Sequence, residues 1–150
     1  IDSGAVQPDT KYIDKGSVTI DKKVIKNFHN EVYGECDMNK VLEQSINTGA
    51  IFAEQRTGNK IFLEYLKRFK LNEKTGIDLP NEALNDIHQL ELGPKDARDV
   101  YFATASFGHG IKISPISLVR AYATIANKGI LVNPYIVEAI VNADGSKEDL

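Results

Sequence analysis

Ser45 and Asn47 are the residues in this chain whose types and spacing best suit chemistry. They stand in Glu43-Gln44-Ser45-Ile46-Asn47-Thr48-Gly49, a run of small polar side chains between two strongly helical segments. A hydroxyl can pass a proton on, because it donates and accepts at once, and an amide can do both toward a peptide-like ligand. In a continuous helix, side chains two positions apart diverge; at a helix break they can converge on one point. A structural explanation competes: Asn47 or Thr48 caps the next helix and Ser45 is merely small. Ser-x-Asn is too common a tripeptide to decide between these by itself. A second stretch downstream, Ser106-Phe107-Gly108-His109-Gly110 leading to Ser114-Pro115, is the other place where small and polar residues gather.

The elements that would position Ser45 and Asn47 are helices. Asp37 is placed to cap a helix carrying Met38, Val41, Leu42 and, at its end, Ile46 on one side. The pattern breaks at Asn47-Thr48-Gly49. A second helix follows with Ile51 and Phe52 and stops at Gly58. Asn59 then caps a third, whose stripe of Ile61, Phe62, Tyr65, Leu66 and Phe69 is the cleanest helical period in the chain. Ser114 as cap and Pro115 at the first helical position start another helix, with Leu118, Val119, Tyr122, Ile125 and Ala126 on one face and Gly129 at its end.

The remainder is less regular. Ile1 to Val6 reads as a connector or helix tail, and Pro8-Asp9-Thr10 as a turn. Gly16 to Ile20 is a short β-like run turned by Asp21-Lys22-Lys23. Residues 24–36 show no clean period and read as irregular, and 72–94 are loop-rich. Residues 96–105 can continue helically until Gly108 and Gly110 stop them. Ile130 to Val132 is strand-like, Tyr135 to Val141 reads as a buried strand, and Asp144-Gly145 asks for a hairpin turn.

The chain of 150 residues is 42% hydrophobic and 26% charged, an ordinary globular balance. Its net charge of −3 and the absence of any long basic run argue against nucleic acid as a partner. The one cysteine, Cys36, excludes an internal disulfide and reads as a buried, inert thiol. His29, His88 and His109 lack zinc-site spacing, so neither a metal nor a cofactor is expected. Glu35, Asp37 and Glu43 read as solvated carboxylates or caps. His109 reads as exposed, in a tight turn ahead of the Ser114 cap rather than in a phosphate loop. No apolar run approaches the length of a membrane span. The chain opens on Ile1 and ends just past a turn signal, so both ends are expected to be cut from something longer.

Helix, Ser45-x-Asn47 and a following small-residue helix resemble the second motif of the penicillin-binding proteins, the D,D-transpeptidases that cross-link peptidoglycan. Gly76-Ile77-Asp78-Leu79-Pro80-Asn81-Glu82 is similar to that family's Thr-Gly-Ile-Asp-Leu-Pro-Gly-Glu loop. Ser106-Phe107-Gly108-His109-Gly110, then Ser114-Pro115 and a helix ending Ala126-Asn127-Lys128-Gly129, resembles its Gly-Gln-Gly, Thr-Pro and Ala-Asn-Gly-Gly stretch. The segments come in the family's order at about its spacing, and are nearest to its class B branch of elongation and division enzymes. His109 stands where Gln is usual and Ser114 where Thr is usual. Asn81 and Lys128 each replace a Gly, which puts those two turns in doubt.

The resemblance implies a mainly α chain. It would be the helical subdomain of a β-lactamase/D,D-transpeptidase-like fold, with a short β element near the start and the beginning of a sheet at the C-terminal end. Residues 1–150 would be a partial transpeptidase domain. The family's nucleophile lies in S-x-x-K and a K-T-G strand completes its site. None of the serines here (Ser3, Ser17, Ser45, Ser106, Ser114, Ser117 and Ser146) has Lys three positions later. Lys74-Thr75-Gly76 spells K-T-G but belongs to the Ile-Asp-Leu-Pro loop. Both motifs are therefore expected outside the chain. The resemblance gives Ser45 a proton-relay role toward the leaving group, and Asn47 hydrogen bonds to the nucleophile's lysine and to the substrate amide. It implies peptidoglycan stem peptides as substrates, acylation by β-lactam antibiotics, and a parent enzyme outside the cytoplasm, anchored by an N-terminal segment and working with membrane partners of cell-wall synthesis. The piece alone is expected to be inactive and, with an apolar face uncovered, to self-associate. A β-lactam sensor or serine β-lactamase on the same fold, or a non-catalytic helical interaction module, are the competing readings.

Overall fold

A computed structural model describes residues 1–91 and 99–149. The chain divides into two compact units, residues 1–66 with 87–111, and residues 67–86 with 112 onward.

The first unit opens with a connector and a turn. The strands β1 (Lys11–Asp14), β2 (Ser17–Ile20), β3 (Lys23–Lys26) and β4 (Gly34–Asp37) follow. β1 pairs antiparallel with β4, Lys11 opposite Asp37, and β2 pairs antiparallel with β3, Ser17 opposite Lys26. Asp21 and Lys22 both take positive φ at the β2–β3 turn, which matches the right-handed twist of a tight hairpin. The expectation that residues 24–36 are irregular is overturned by β3 and β4, and β1 was not anticipated at all. Each of these strands is only four residues long, too short for alternation to be read locally.

The helices α1 (Met38–Glu43), α2 (Asn47–Thr57), α3 (Asn59–Arg68), α4 (His88–Glu91) and α5 (Asp99–Ala105) come next. Asp37 caps α1 as expected, its Oδ1 accepting from Lys40 N at 2.9 Å. Gly58 ends α2 with φ +83°. Asn59 does not cap α3; its Nδ2 instead donates to Asp99 Oδ1 at 2.9 Å. The helical expectation for residues 96–105 holds for α5, while residues 96–98 lie outside the described residues. One core cluster joins Ile20, Ile51, Val100 and Ala103, and another Val6, Met38 and Val41. Burial of these side chains is the main force holding the strands on α2 and α5, at about 25 cal/mol per Å² of apolar surface.

The second unit contains the loop after α3, then α6 (Pro115–Ala126) and the hairpin β5 (Ala139–Val141) and β6 (Lys147–Asp149). Ser114 caps α6 with Pro115 at its first position. The apolar face read from the sequence is exposed: Leu118, Val119, Tyr122 and Ile125 face solvent, while Ser117, Arg120 and Thr124 are buried. The reason is the loop beneath. Its unpaired backbone and amide groups need polar partners. Ser117 Oγ accepts from Asn85 Nδ2 at 2.8 Å, and Arg120 Nη2 donates to Lys70 O at 2.9 Å. Only residues 139–141 of the expected buried strand at 135–141 pair, and they are mostly exposed. Residues 130–132 form no strand.

The Asn81 and Lys128 turns keep the backbone that glycine favours, with φ +62° and +57°. Helices thus dominate as expected, but the short β element near the start is two two-stranded sheets.

Candidate active site

The break between α1 and α2 is a Schellman turn followed directly by a new helix. Ser45 N donates to Leu42 O at 3.4 Å and Ile46 N to Val41 O at 3.0 Å, satisfying carbonyls that the end of α1 leaves over. This geometry puts Ser45 in the left-handed position, φ +52°, normally held by glycine. Ile46 and Val41 supply the apolar contact such a turn prefers, and Ile46 is 1% exposed. The helix break therefore falls at Gln44-Ser45-Ile46, three residues before the expected Asn47-Thr48-Gly49, and Asn47 is the first residue of α2.

Ser45 is exposed at the tip of this turn. Asn47 is half-buried, and its Nδ2 donates to Lys26 O at 3.0 Å. The turn brings both residues to one break. A left-handed non-glycine residue costs about 1–2 kcal/mol, and such strain concentrates at functional positions.

Ile46 is the N-cap residue of α2 and has no polar group to offer. The cap comes instead from Asn27, the residue just past β3: its Oδ1 accepts from Thr48 N at 3.1 Å. The Thr48 hydroxyl donates to Asp14 Oδ1 at 2.6 Å. Asp14, 2% exposed, also accepts from Gly16 N at 2.9 Å, Asn27 Nδ2 at 3.0 Å and Tyr33 N at 2.7 Å. Burial by itself would raise the Asp14 pKa, but the bonds from Thr48, Tyr33, Gly16 and Asn27 together hold it below the usual carboxylate range. Gly49 lets α1 and α2 approach: a Cβ there would lie 2.3 Å from Val41 Cγ2 and 2.8 Å from Tyr12 Oη. Sequence reasoning missed Asp14 and Asn27. The available signal was Asp14-x-Gly16, an Asx-turn pattern, but their partner Thr48 lies far away in sequence.

Lys74-Thr75-Gly76 lies in a loop, as expected. Glu82 Oε1 accepts from Thr75 N at 2.6 Å and from Thr75 Oγ1 at 2.7 Å, and Oε2 accepts from Gly76 N at 3.0 Å. Asp78 accepts from the amides of Ile136 and Val137, both at 2.7 Å. His109 is exposed. Cys36 is free and buried, and burial pushes its thiol pKa up. Glu35 pairs with Lys11 at the surface, and Glu43 is exposed. Among the described residues no cluster of three or more His, Cys, Asp or Glu is arranged to hold a metal, and no helix is long and apolar enough to cross a membrane.

Ser45 in the turn and Asn47 at the start of α2, then the Ile-Asp-Leu-Pro loop and the Ser-Pro helix, follow one another in the order of a transpeptidase-type domain. The chain belongs to the penicillin-binding protein transpeptidase domain family, whose model matches residues 1–149. It is 31% identical over 129 residues to stage V sporulation protein D of Bacillus subtilis, covering 85% of this chain and 19% of that protein. It is 30% identical over 160 residues to a peptidoglycan D,D-transpeptidase FtsI homolog of Chlorokybus atmophyticus, covering 95% of this chain and 22% of that one. The fold is similar to penicillin-binding protein 3 of Mycobacterium tuberculosis, solved with aztreonam and with ampicillin. The TM-score is 0.86 at 26% identity, over 98% of this chain and 32% of that one. The chain thus spans about a fifth of the length of these curated relatives.

Proposed function

We propose that this chain is part of a serine D,D-transpeptidase, with Ser45 and Asn47 as two of its catalytic residues. The observation that carries the reading is Ser45, exposed and left-handed, two positions ahead of an Asn47 anchored on Lys26 O. In this reading the nucleophilic serine and its lysine belong to an S-x-x-K segment outside residues 1–150, and the K-T-G strand likewise. The nucleophile attacks the carbonyl of a D-Ala-D-Ala stem peptide and the terminal D-Ala leaves; an amine of a second peptide then takes the acyl group. Ser45 relays a proton toward the leaving amine. Asn47 bonds the lysine of the nucleophile segment and the substrate amide. β-Lactams acylate the same serine. The enzyme acts on peptidoglycan outside the cytoplasm, held there by a membrane anchor beyond this chain.

The test is acylation of the whole transpeptidase by a fluorescent penicillin. S45A and N47A are expected to slow it by about 10²-fold or more, the range of proton-transfer catalysis. Wild-type acylation in both variants would overturn the assignment. Residues 1–150 alone should form no penicillin adduct by intact mass spectrometry; a stable adduct would place the nucleophile within them.

A further inference from the structure

α2 begins under an unusual constraint. Its first amides need acceptors, and a Ser, Thr, Asp or Asn at the N-cap would normally supply one. Residue 46 does not take that role: it is Ile, which has no polar side-chain atom, and it is buried in the Schellman turn around Ser45, where an apolar residue is favoured. Two helices joined through so short a break must therefore obtain the second helix's cap from elsewhere in the fold. Here it comes from the ends of β1 and β3.

The arrangement is a relay of contacts with Asp14 at its centre. Asp14 Oδ2 holds Asn27 Nδ2 at 3.0 Å; Asn27 is held further by its own amide on Gly16 O at 3.0 Å. Asn27 Oδ1 then fixes Thr48 N, and Asp14 Oδ1 takes the Thr48 hydroxyl. Lys26, the residue before Asn27, gives its carbonyl to Asn47 Nδ2. Thr48 and Lys26 are thus fixed on either side of the Asn47 side chain. Among the described residues the partners of Asp14 are the Gly16 and Tyr33 amides, the Asn27 side-chain amide and the Thr48 hydroxyl, none of them a cation. A buried carboxylate is costly unless its bonds are all made. A local cap supplies helix stability for about 1 kcal/mol with no buried charge. Position is what the buried network adds.

We propose that Asp14, acting through Thr48 and Asn27, is a positioning residue that fixes the first turn of α2 and with it the side chains of Asn47 and Ser45. This rests on the catalytic reading of those two residues given above. The network touches no reacting atom; it acts by keeping Asn47 from swinging off Lys26 O.

The experiment measures acylation of the whole transpeptidase by a fluorescent penicillin in stopped flow, separating the acylation rate constant from the pre-acylation dissociation constant, with the melting temperature of each variant. T48V and D14N should lower the rate constant by about 10- to 100-fold, the scale of a small misplacement of a catalytic group. Initial binding should change less than about threefold, because uniform binding is not what the network provides. T48S, which keeps the hydroxyl, should return to within about threefold of wild type. The double variant N47A/T48V should be no slower than N47A by more than about threefold, since residues acting as one unit are not additive. A wild-type rate constant in T48V, equal damage in T48S and T48V, or fully additive losses in the double variant would each overturn the proposal. If D14N does not fold, T48V decides alone, because it deletes one hydroxyl at nearly constant shape. Wild-type rates in both S45A and N47A would overturn the underlying site assignment, and this inference with it.

Discussion

The amide of Ile46 donates to the carbonyl of Val41 at 3.0 Å, and the turn this closes forces Ser45 left-handed. The same turn recurs at the end of α6, where Gly129 N donates to Thr124 O at 2.8 Å around Lys128, φ +57°. Two non-glycine residues thus hold a glycine position, and only one of them carries chemistry in our reading.

That pair yields a contrast. S45G and K128G should each stabilise the whole transpeptidase domain by about 1 kcal/mol in urea unfolding, by relieving left-handed strain. S45G should also lose most acylation activity, whereas K128G should keep it. Equal activity in the two variants would mean that the Ser45 hydroxyl contributes nothing.

G49A tests the approach of α1 and α2. Alanine is about 1 kcal/mol better than glycine in a helix interior. Its Cβ would however meet Val41 and Tyr12 at impossible distances, and overpacking costs about 1–3 kcal/mol. The expected result is a net loss of stability and a shifted α2; a gain in melting temperature would show that the helices can separate freely.

Glu54 gives a pH signature. It is 4% exposed, its Oε1 has no hydrogen-bond partner among the described residues, and burial, helped by the nearby Asp99, raises its pKa to about 7. Below the ordinary carboxylate pKa both the folded and unfolded forms are protonated and nothing is lost. As pH rises toward and through 7, the unfolded chain ionises first, so stability falls. E54Q should remove this slope and gain about 1–3 kcal/mol over wild type at pH 8, with little difference at pH 4. The check is the difference between the two unfolding free energies across that range.

Glu82 behaves oppositely. Burial opposes its ionisation, but the bonds from Thr75 and Gly76 win and hold its pKa below the usual range. Its hold on the loop is full at neutral pH and is lost as pH falls through that depressed value. E82Q should speed hydrogen exchange at Thr75 and Gly76 at pH 7, an effect that should shrink in acid.

Residues 1–150 expressed alone should bind a hydrophobic dye and associate with rising concentration, through Leu118, Val119, Tyr122 and Ile125 on the exposed face of α6. Replacing Leu118 and Tyr122 by lysine should reduce both signals in sedimentation and fluorescence.

Much of the site was legible because its signals are local. The Asp37 cap, the Gly58 stop, the Ser114-Pro115 start and the Ser45-x-Asn47 break each depend on residues within one or two helical turns. Of the N-terminal strands only β2 was legible, from its β-branched run and following turn; β1, β3 and β4 were not, because four residues are too few to carry a clear period. For α6, apolar spacing marked a face but not what the loop 70–86 would cover, so the burial of Ser117, Arg120 and Thr124 was not legible.

The sequence by itself marked helix ends such as the Asp37 cap and the Gly58 stop, and a helix break beside Ser45 and Asn47, since capping and helical period act over a few residues. Tertiary structure alone decided how those two residues are held. Ile46 is buried and cannot cap α2, so the start of that helix depends on Asp14 and Asn27, more than twenty residues upstream. No local rule links residues that far apart; only the tertiary fold brings them to Thr48.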